Sequence, residues 1–495
     1  MPFLYGIVIV EGGYALFHGV FPPVPSGWIL RALRTGVGGS VYYIGMEGRN
    51  NYNNRLTQQP DDDTIITVGK RFNFNLRWDC QMYKIAILGA GSRGAFAYAP
   101  YAKKRPDQVQ IVAVAEPNKE RRERFSKEYG IAPEHQYESW EDLLEKPKFC
   151  DAVVICTQDR DHYKPAMKAL ERGYHILLEK PMSHLPDETL RMAREAKRLN
   201  RILAVCHTMR YSTYYNKLKQ LIDSGVIGKL MSIQWTENVG FWHYIHSFVR
   251  GNWRNSDETS PMILQKCCHD MDMLRWLIGS ECTEVSSFGE LSYFKIENAP
   301  EGSTDRCTDG CAVEHECPFS AIKWYLNEKD QWPQKVVSLE PTIEARMKAL
   351  KEGPYGRCVY RCDNNVVDHQ VASLKFANGV TVAFTMSAFT MENTRTFKIM
   401  GTQGEILGHH EKNEIEIRHF SGQKEVVYPM EVEGGHRGGD TLIMRDFIRM
   451  LDHPTADVKT SGLVSAEGHL IAFAVEESRI TGKTIKMSEY IRQFN

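Results

Sequence analysis

The 495-residue chain lacks three features, each of which would indicate a particular class of protein or partner. It has no run of about 18 apolar residues, the length that a membrane-spanning helix needs. It has almost no net charge, because 61 Lys and Arg stand against 62 Asp and Glu, so no global positive field attracts nucleic acid or an anionic membrane. It also lacks the basic start of a signal peptide, and Glu11 interrupts its apolar opening. The sequence therefore predicts a protein that is not secreted and that binds neither nucleic acid nor membrane.

Residues 1–81 differ in character from the rest of the chain. Glycine-rich and asparagine-rich pieces and the acidic triplet 61–63 occur there without a sustained hydrophobic period. At Met82 the pattern changes to a buried strand that leads into a glycine turn. We therefore expect a poorly structured or atypical extension over 1–81, with folding, and natural translation, starting near Met82. A small ordered subdomain, or a tail packed on the body, is the alternative.

The strand predicted over 84–88 is followed by the sequence Gly-Ala-Gly-Ser-Arg-Gly and by a stretch of small residues that predicts a helix. In a dinucleotide-binding turn the first glycine permits the tight turn, the second lets the backbone approach a pyrophosphate, and the third lets the helix pack on the strand. The N–H groups at the helix start then face the anion. The predicted contacts in this turn are Gly89, Gly91, Ser92, Arg93 and Gly94.

An acidic residue follows the second predicted strand, 109–115. This residue, Glu116, lies about 20 residues beyond the glycine turn, where a carboxylate accepts hydrogen bonds from the ribose hydroxyls of NAD. A carboxylate there repels a 2′-phosphate, so the sequence favours NAD over NADP. Arg121 and Arg122 follow closely and could partly reverse that preference.

Helices and strands alternate up to residue 206. Helices are predicted at 95–102, 119–129, 140–145, 162–172 and 187–199, and further strands at 152–156, 175–178 and 202–206. This order predicts a doubly wound parallel Rossmann sheet over 82–206, with ligands outside the carboxyl ends of the strands. Residues at two strand ends are expected at the nicotinamide end of that crevice: Thr157, Gln158, Glu179 and Lys180.

Together these motifs resemble the Gfo/Idh/MocA family of sugar and cyclitol oxidoreductases. The matching pieces are GAGSRG at 89–94, AVAEPN at 113–118, Cys156-Thr157 with His162, Glu179-Lys180-Pro181, His207 to Arg210, and His269-Asp270-Met271-Asp272. The resemblance covers about 82–460 and implies that His162 and Glu179 also belong to the cofactor site. It implies a C-terminal α+β domain over 207–495, whose large open, mainly antiparallel sheet carries the substrate and the interface of a homo-oligomer.

The sequence of the second half predicts such a sheet independently. Apolar residues alternate over 372–376 and 380–386, on either side of the turn Asn378-Gly379, which predicts a hairpin with one buried face. A further strand pair is expected around 401–404, and 440–451 has the period of an amphipathic helix.

The oxidation of a secondary alcohol needs a base for the hydroxyl proton and a cation or donor for the developing alkoxide. The resemblance implies that Lys180 contacts the reacting hydroxyl and that His269 accepts its proton; a surface lysine and a histidine at a helix start are the alternatives. Many family members have aspartate four residues before this histidine, where this chain has Gln265. Either His269 works without a carboxylate partner, or Lys266 supplies a second cation or a desolvated amine base. Asp272 could orient the ring of His269.

A surface that binds sugars should combine flat rings with hydrogen-bond donors. The stretch 241–254 is rich in Trp, His and Arg and has this composition, although an oligomer contact would share it. The predicted substrate contacts are His207, Arg210, Trp242, His243, Arg250 and Trp253. A structural role is the alternative for the first two, and the glycine-rich loop 434–439 is a further candidate for the rim of the site.

Five of the 12 cysteines fall between 307 and 362, where even scatter would place about one. They are Cys307, Cys311, Cys317, Cys358 and Cys362, in an insertion over about 295–365. Four of them could hold one metal ion that orders a segment with little core of its own. Zinc is favoured, an iron–sulfur cluster is the second choice because of the Cys-Pro at 317–318, and free or disulfide-paired thiols are the alternative.

The sequence favours an NAD-dependent oxidoreductase that oxidises a secondary hydroxyl of a sugar, glycoside or cyclitol. A glycosidase that uses transient oxidation and elimination, with retained NAD, is a second possibility, and a non-catalytic sugar sensor of the same fold is the third. The remaining cysteines are dispersed, several of them in apolar runs, which is typical of a reduced, cytoplasmic protein.

Overall fold

The computed structural model describes residues 82–432, 434–435, 437–452 and 459–494, together with the backbone of four strands near the N-terminus. The contacts divide the chain into two units, Met1–Arg77 and Trp78–Asn495. In the first unit the strands form two antiparallel pairs. Their bounds are β1 Tyr5–Val10, β2 Gly13–His18, β3 Trp28–Thr35 and β4 Val41–Gly48. The other residues of the predicted extension over 1–81 lie outside the described residues.

The second unit begins with a six-stranded parallel sheet. Its strands are β5 Tyr83–Leu88, β6 Val109–Ala115, β7 Gln136–Tyr137, β8 Ala152–Ile155, β9 His175–Leu178 and β10 Leu203–Val205. The spatial order β7-β6-β5-β8-β9-β10 is the doubly wound order of a Rossmann fold, which confirms the predicted fold class. The strand order reverses between β5 and β8, so a crevice for ligands opens beyond their carboxyl ends.

The helices of this domain lie close to their predicted positions. They are α1 Pro100–Lys104, α2 Lys119–Tyr129, α3 Trp140–Glu145, α4 Tyr163–Glu171 and α5 Pro186–Arg198. Asn118 caps the start of α2 through its side chain, and Gly130, with φ +65°, ends it. The helix predicted over 95–102 differs, because a π-helix at Ser92–Tyr98 precedes a short α1. Pro100 explains the division, since it lacks an N–H and therefore starts a helix more easily than it continues one.

A nine-stranded sheet forms the C-terminal half. Its strands are β11 Leu230–Gly240, β12 Cys282–Glu290, β13 His369–Phe376, β14 Thr381–Thr390, β15 Thr394–Gly401, β16 Gly404–His409, β17 Glu414–His419, β18 Lys424–Val427 and β19 Ile485–Lys486. Only β11 and β14 pair in parallel within this sheet. The strands at 372–376 and 380–386 lie in the predicted hairpin, with Gly379 at φ +88° in its turn.

The remaining helices pack against this sheet, against the Rossmann domain or within the cysteine-rich insertion. They are α6 Thr213–Asp223, α7 Phe241–Tyr244, α8 Met262–Gln265, α9 Cys268–Ile278, α10 Ala321–Tyr325, α11 Gln334–Val337, α12 Ile343–Glu352, α13 Gly439–Asp452, α14 Gly462–Thr481 and α15 Met487–Arg492. The largely buried α14 packs against α5, α9 and β12 and thereby joins the two sheets into one core. Among the described residues, no helix combines the length and the apolar character needed to cross a membrane.

Candidate active site

The glycine turn after β5 combines two crowded positions with one open position. Gly89 has φ +92°, and a Cβ there would lie 2.5 Å from the carbonyl oxygen of Cys156. A Cβ on Gly94 would lie 2.1 Å from the carbonyl oxygen of Gly89, whereas a Cβ on Gly91 would meet no other described part of the chain within 4 Å. The turn is therefore packed tightly at its ends and open at Gly91, where the exposed Ser92 follows. This shape fits the approach of a pyrophosphate to the backbone.

Glu116 follows β6, and its carboxylate lies against the glycine turn. Oε2 accepts a hydrogen bond from the Ala90 N–H at 2.9 Å, and Oε1 accepts one from the Asn118 N–H at 3.0 Å. A carboxylate offers about four lone-pair positions, so the group can also accept ribose hydroxyls. Arg122 is directed elsewhere: its guanidinium donates to the backbone carbonyl of Glu116 at 2.6 Å and pairs with Glu138 at 2.9 Å.

Arg93 connects the glycine turn to the end of β9 and to α13. Its Nε lies 2.6 Å from Oε1 of Glu179, and its terminal nitrogens lie 3.1 and 2.8 Å from the two carboxylate oxygens of Asp440. Tyr98 also hydrogen-bonds to both Arg93 and Glu179. Burial opposes ionisation of Glu179, but Arg93 lowers the pKa of this carboxyl below its usual value. Arg93 and Glu179, both predicted cofactor contacts, thus link the glycine turn to the end of β9. Their partners Tyr98 and Asp440 were not predicted from the sequence.

His162 joins two strand ends of the crevice. Nδ1 lies 2.6 Å from the carbonyl oxygen of Pro181, and Nε2 lies 3.0 Å from the carbonyl oxygen of Thr157. The Thr157 hydroxyl donates to the carbonyl of Asp161 at 2.8 Å. Both side chains are therefore used within the protein, whereas the predicted cofactor contact Gln158 is exposed beside them.

Lys180 and Lys266 lie near each other beyond the carboxyl end of β9. The Nζ of Lys180 donates to the backbone carbonyl of Gln265 at 2.6 Å, and the Nζ of Lys266 lies 3.4 Å from Oε1 of the buried Glu237. Burial lowers the pKa of Lys266; Glu237 opposes this shift, and Arg395 and Lys180 add to it. An amine in these surroundings gives up its proton more readily than an exposed lysine.

A buried charge network supports Lys266 and the start of α9. Glu237 on β11 and Arg395 on β15 are cross-strand partners, and Arg395 Nη2 lies 2.7 Å from Glu237 Oε2. Arg395 Nε lies 2.7 Å from Asp270 Oδ1, which also accepts a hydrogen bond from Trp235 Nε1 at 2.8 Å. Burial raises the pKa of Glu237, although both neighbouring cations oppose this shift. Neither Glu237 nor Arg395 was predicted from the sequence.

Three histidine rings lie edge to face, and two of them, His207 and His469, are within electrostatic reach of Lys180. The ring centroid of His207 lies 5.7 Å from that of His269 and 5.3 Å from that of His469. His207 is fully buried, and burial lowers its pKa well below the usual value. Burial likewise lowers the pKa of His469 to about 3. His469 was not predicted; its Nε2 accepts the Met182 N–H at 3.0 Å and so fixes the segment that follows Lys180.

Arg210 and Asp272 form a buried pair. Nε and Nη2 of Arg210 lie 2.7 Å from the two carboxylate oxygens of Asp272, and Nη1 donates to the carbonyl of Lys459 at 3.0 Å. Asp272 Oδ2 also lies 3.8 Å from Nδ1 of His207. These contacts give no support to the expectation that Asp272 orients His269. They also commit the guanidinium of Arg210 inside the protein rather than towards a substrate.

An aromatic cluster lies next to the amines and includes part of the insertion. The ring centroid of Trp242 lies 5.6 Å from that of Trp332 and 6.3 Å from that of Trp324, and the His243 ring lies 4.9 Å from Trp332. Burial and then the charge of Lys266 lower the pKa of His243 well below its usual value, so this ring lies within electrostatic reach of the site. His243 therefore lies near Lys266, and Trp242 packs with it and with two tryptophans of the insertion.

Arg250 and Trp253 donate hydrogen bonds within the protein. Arg250 is fully buried, and its Nε donates to the carbonyl of Arg357 at 2.7 Å. The indole N–H of Trp253 donates to Oδ1 of Asp159 at 3.2 Å. These contacts do not support the predicted role of either residue in substrate binding.

Four of the five clustered cysteines line one small cavity in the insertion. The four are Cys307, Cys311, Cys317 and Cys358. In the described part of the chain, as the side chains stand, no three His, Cys, Asp or Glu residues are arranged to hold a metal ion. All cysteines described there are free thiols, so the disulfide alternative finds no support among them.

Known proteins resemble this chain in both halves. The pattern of the oxidoreductase family with an NAD-binding Rossmann fold matches residues 83–207, and the pattern of its C-terminal alpha/beta domain matches residues 219–462. The Bacillus subtilis protein YteT, which carries an oxidoreductase name, is 24% identical over 337 residues, covering 64% of this chain and 76% of that protein. An inositol 2-dehydrogenase of Streptomyces avermitilis is 32% identical over 233 residues, but the match spans only 46% of this chain and 61% of that enzyme.

Solved structures share the fold at low sequence identity. Levoglucosan dehydrogenase in complex with NADH and levoglucosan superposes with a TM-score of 0.61 at 19% identity, covering 82% of this chain and 100% of that chain. A myo-inositol 2-dehydrogenase from Lactobacillus plantarum superposes with a TM-score of 0.57 at 18% identity, covering 82% of this chain and 99% of the other. The two family patterns follow each other in order over most of the sequence, and the order of the parallel sheet is that of a Rossmann fold. The chain therefore belongs to the Gfo/Idh/MocA family of oxidoreductases.

Proposed function

We propose that this protein oxidises a secondary hydroxyl of a sugar, glycoside or cyclitol by hydride transfer to NAD. The observation that carries the proposal is the proximity of Lys180 and Lys266 beyond the carboxyl end of β9. The ring of His269 packs on His207, which lies within electrostatic reach of Lys180, and an aromatic cluster lies beside Lys266. Alkoxide formation needs a cation that stabilises the negative oxygen and a base that takes the proton. Lys180 could be the cation, and the base could be His269 or Lys266, an amine whose pKa is lowered. The names of several relatives, which include inositol dehydrogenases, favour the same substrate class.

The residues around the glycine turn fit NAD. The open space over Gly91 suits a pyrophosphate, and Glu116 presents carboxylate oxygens where ribose hydroxyls would donate. When bound, the nicotinamide supplies the acceptor for hydride. Because Arg122 contacts a backbone carbonyl and Glu138, its charge is not directed at a 2′-phosphate, which favours NAD over NADP.

In the proposed site Lys180 donates a hydrogen bond to the reacting oxygen and stabilises its negative charge. The hydroxyl proton passes either to His269 or to the neutral amine of Lys266. The second route suits this chain, since Gln265 cannot accept a proton and burial lowers the pKa of Lys266. Glu237, 3.4 Å from the amine, holds Lys266 in place for that step.

Two further proposals concern the whole protein. The open sheet exposes apolar side chains on β12 and β13, where Phe288 and Val371 are cross-strand partners and are 67% and 45% exposed. We propose that this face joins two copies of the chain.

The free thiols of the described cysteines support the proposal of a reducing, cytoplasmic location.

A substrate panel tests the proposed reaction. The protein is mixed with NAD or NADP and with free sugars, glycosides and inositols, and absorbance is followed at the nicotinamide band. We expect reduction of NAD with at least one polyol and weaker reduction of NADP. Release of an aglycone without net NADH would favour the glycosidase instead, and binding of sugar and NAD without any turnover across the panel would favour the sensor.

A further inference from the structure

The cysteine-rich insertion folds two distant segments against each other. Arg306 and Arg357 form an isolated antiparallel bridge. Next to it, the N–H of Cys307 donates to the carbonyl of Gly356 at 2.9 Å, and the N–H of Cys358 donates to that of Asp305 at 2.8 Å. The bridge thus brings the first and fourth clustered cysteines to one place. Together with Cys311 and Cys317 they line a cavity of about 20 Å³, a volume that accommodates about one water-sized sphere.

A buried cation faces the same cavity. Arg250 lines it and is fully buried, and its Nη2 donates to the carbonyl of Phe319 at 2.8 Å and contacts Sγ of Cys307 at 3.7 Å. Its Nη1 makes no hydrogen bond with the described residues. A guanidinium buried with an unused donor is costly unless negative charge lies close to it. Ionised sulfur in the cavity would supply that charge.

The sulfur of Cys307 accepts a second hydrogen bond, from the backbone N–H of Ala321 at 3.4 Å. Such N–H donors are typical of thiolates that ligate metals, because they stabilise the charge on sulfur. Cys362 differs from the four. It does not line the cavity, and its thiol donates to the carbonyl of Cys358 at 3.2 Å, which requires the protonated form.

We propose that Cys307, Cys311, Cys317 and Cys358 bind a single zinc ion as four thiolates, and that Cys362 takes no part. Each thiol releases its proton to the solvent as its Zn–S bond forms. Four thiolates around one ion are a usual ligand set of a structural zinc site. The sulfurs line its wall without forming a complete coordination set, so binding draws them inward by rotation about χ1. Three of the four cysteines are not fully buried, which leaves room for that rotation.

The zinc would order the wall of the substrate site. Apart from this cavity the insertion has a small core of its own, made of Ala321, Tyr325, Leu350 and Tyr355. Trp332, which lies in the insertion, packs on Trp242, His243 and His246. Loss of zinc should therefore raise the KM for the sugar while NAD binding persists. This consequence rests on the proposed function, whereas the metal site itself does not.

Elemental analysis of the full chain, purified without added metal, tests the site. We expect about one zinc per chain, at least a fivefold loss in Cys311→Ser and Cys358→Ser, and unchanged zinc in the matched control Cys362→Ser. NAD binding is measured on each variant to show that the Rossmann domain remains folded. If a ligand variant does not fold, the unaltered chain is used instead. Its thiols are modified chemically while a chromogenic chelator reports the release of zinc. We expect protease cleavage within 295–365 to become faster as zinc is lost.

Three results would overturn the proposal. These are metal-free protein whose insertion resists protease equally with and without chelator, equal zinc in the ligand variants and the control, and iron with a visible chromophore in place of zinc. None of these readouts depends on turnover, so an inactive enzyme with zinc would contradict the proposed function alone.

Discussion

At the residue scale, the two lysines of the site have different surroundings. Lys180 donates to a backbone carbonyl at 2.6 Å, whereas Lys266 lies 3.4 Å from a buried carboxylate. Burial lowers the pKa of Lys266, and Glu237 limits that fall. Lys180 is therefore the fixed donor in our account, and Lys266 is the amine whose protonation depends on its neighbour.

The variant Glu237→Gln should shift the pH profile of kcat/KM. Removing the carboxylate removes the group that raises the pKa of Lys266, so that pKa falls and the neutral amine appears at lower pH. If Lys266 accepts the proton, we expect the rising limb of the profile to move down by about one pH unit. The control Glu284→Gln alters an exposed pair with Lys375 and should leave the limb in place. An unmoved limb in Glu237→Gln would leave His269 as the base.

The variant Glu116→Ser should change the choice of cofactor. It removes acceptors for the ribose hydroxyls and a charge that repels a 2′-phosphate, so the Kd for NAD should rise and that for NADP should fall, by about tenfold each. Fluorescence titration with both cofactors measures the two constants. If the unaltered protein already prefers NADP, our assignment of Glu116 is wrong.

At the element scale, one position of the glycine turn is closely packed by the protein, and another is open on the side where we expect the cofactor. A Cβ at Gly94 would collide with a backbone oxygen at 2.1 Å, whereas one at Gly91 would meet no neighbour within 4 Å among the residues that the structure describes. The same substitution should therefore have different effects three residues apart, because only one of the two positions is filled by the protein itself.

We expect Gly94→Ala to lower the melting temperature by several degrees, since the backbone of the turn must shift. Gly91→Ala should melt like the unaltered chain but bind NAD at least tenfold more weakly, because its methyl group occupies the space of the pyrophosphate. Calorimetry and NAD titration of both variants check this pair. Normal NAD affinity in Gly91→Ala would mean that the pyrophosphate does not lie over this turn.

The elements of the Rossmann domain could be predicted because their signals are local. Each strand is a short apolar run and each helix has its own period, so several bounds agree to the residue, as for Val109–Ala115 and Lys119–Tyr129. Lys180 and His269 could be proposed from the sequence because they lie in short motifs. Glu237 was missed because its partner Arg395 is far away in the chain and becomes its neighbour only when β11 and β15 pair. Gln265, in place of the family's aspartate, was the sequence signal that pointed to a different group at this position.

At the scale of the whole molecule, several histidines are buried, and burial opposes their protonation. Burial lowers the pKa of His246 and of His469 to about 3, and that of His207 well below its usual value. Two of these residues pack where α14 and the Rossmann strands meet, so their protonation concerns the entire core.

The free energy of unfolding should therefore begin to decrease at mildly acidic pH. These side chains bind protons in the unfolded chain below about pH 6.5 but remain neutral in the folded chain, so the unfolded state is favoured as the pH drops from about 6.5 towards 3. The loss is about 1.4 kcal/mol per histidine for each pH unit well below 6.5. Urea unfolding at pH 8, 6.5 and 5 measures this loss. The variant His469→Gln should make the free energy of unfolding depend less steeply on pH. Constant stability between pH 7 and 5 would contradict the assignment of neutral buried rings.

The most direct test of the account is the rate of hydride transfer in a single turnover. The unaltered chain and the variants Lys180→Ala, His269→Ala and Lys266→Ala are loaded with NAD and mixed with a polyol that is active in the substrate panel. We expect nicotinamide reduction to slow by about a hundredfold or more in Lys180→Ala, and in whichever of the other two removes the base, while the Kd for NAD changes less than about threefold. Reduction at the full rate in Lys180→Ala, or in both of the other variants, would contradict the assignment of these residues to the reaction.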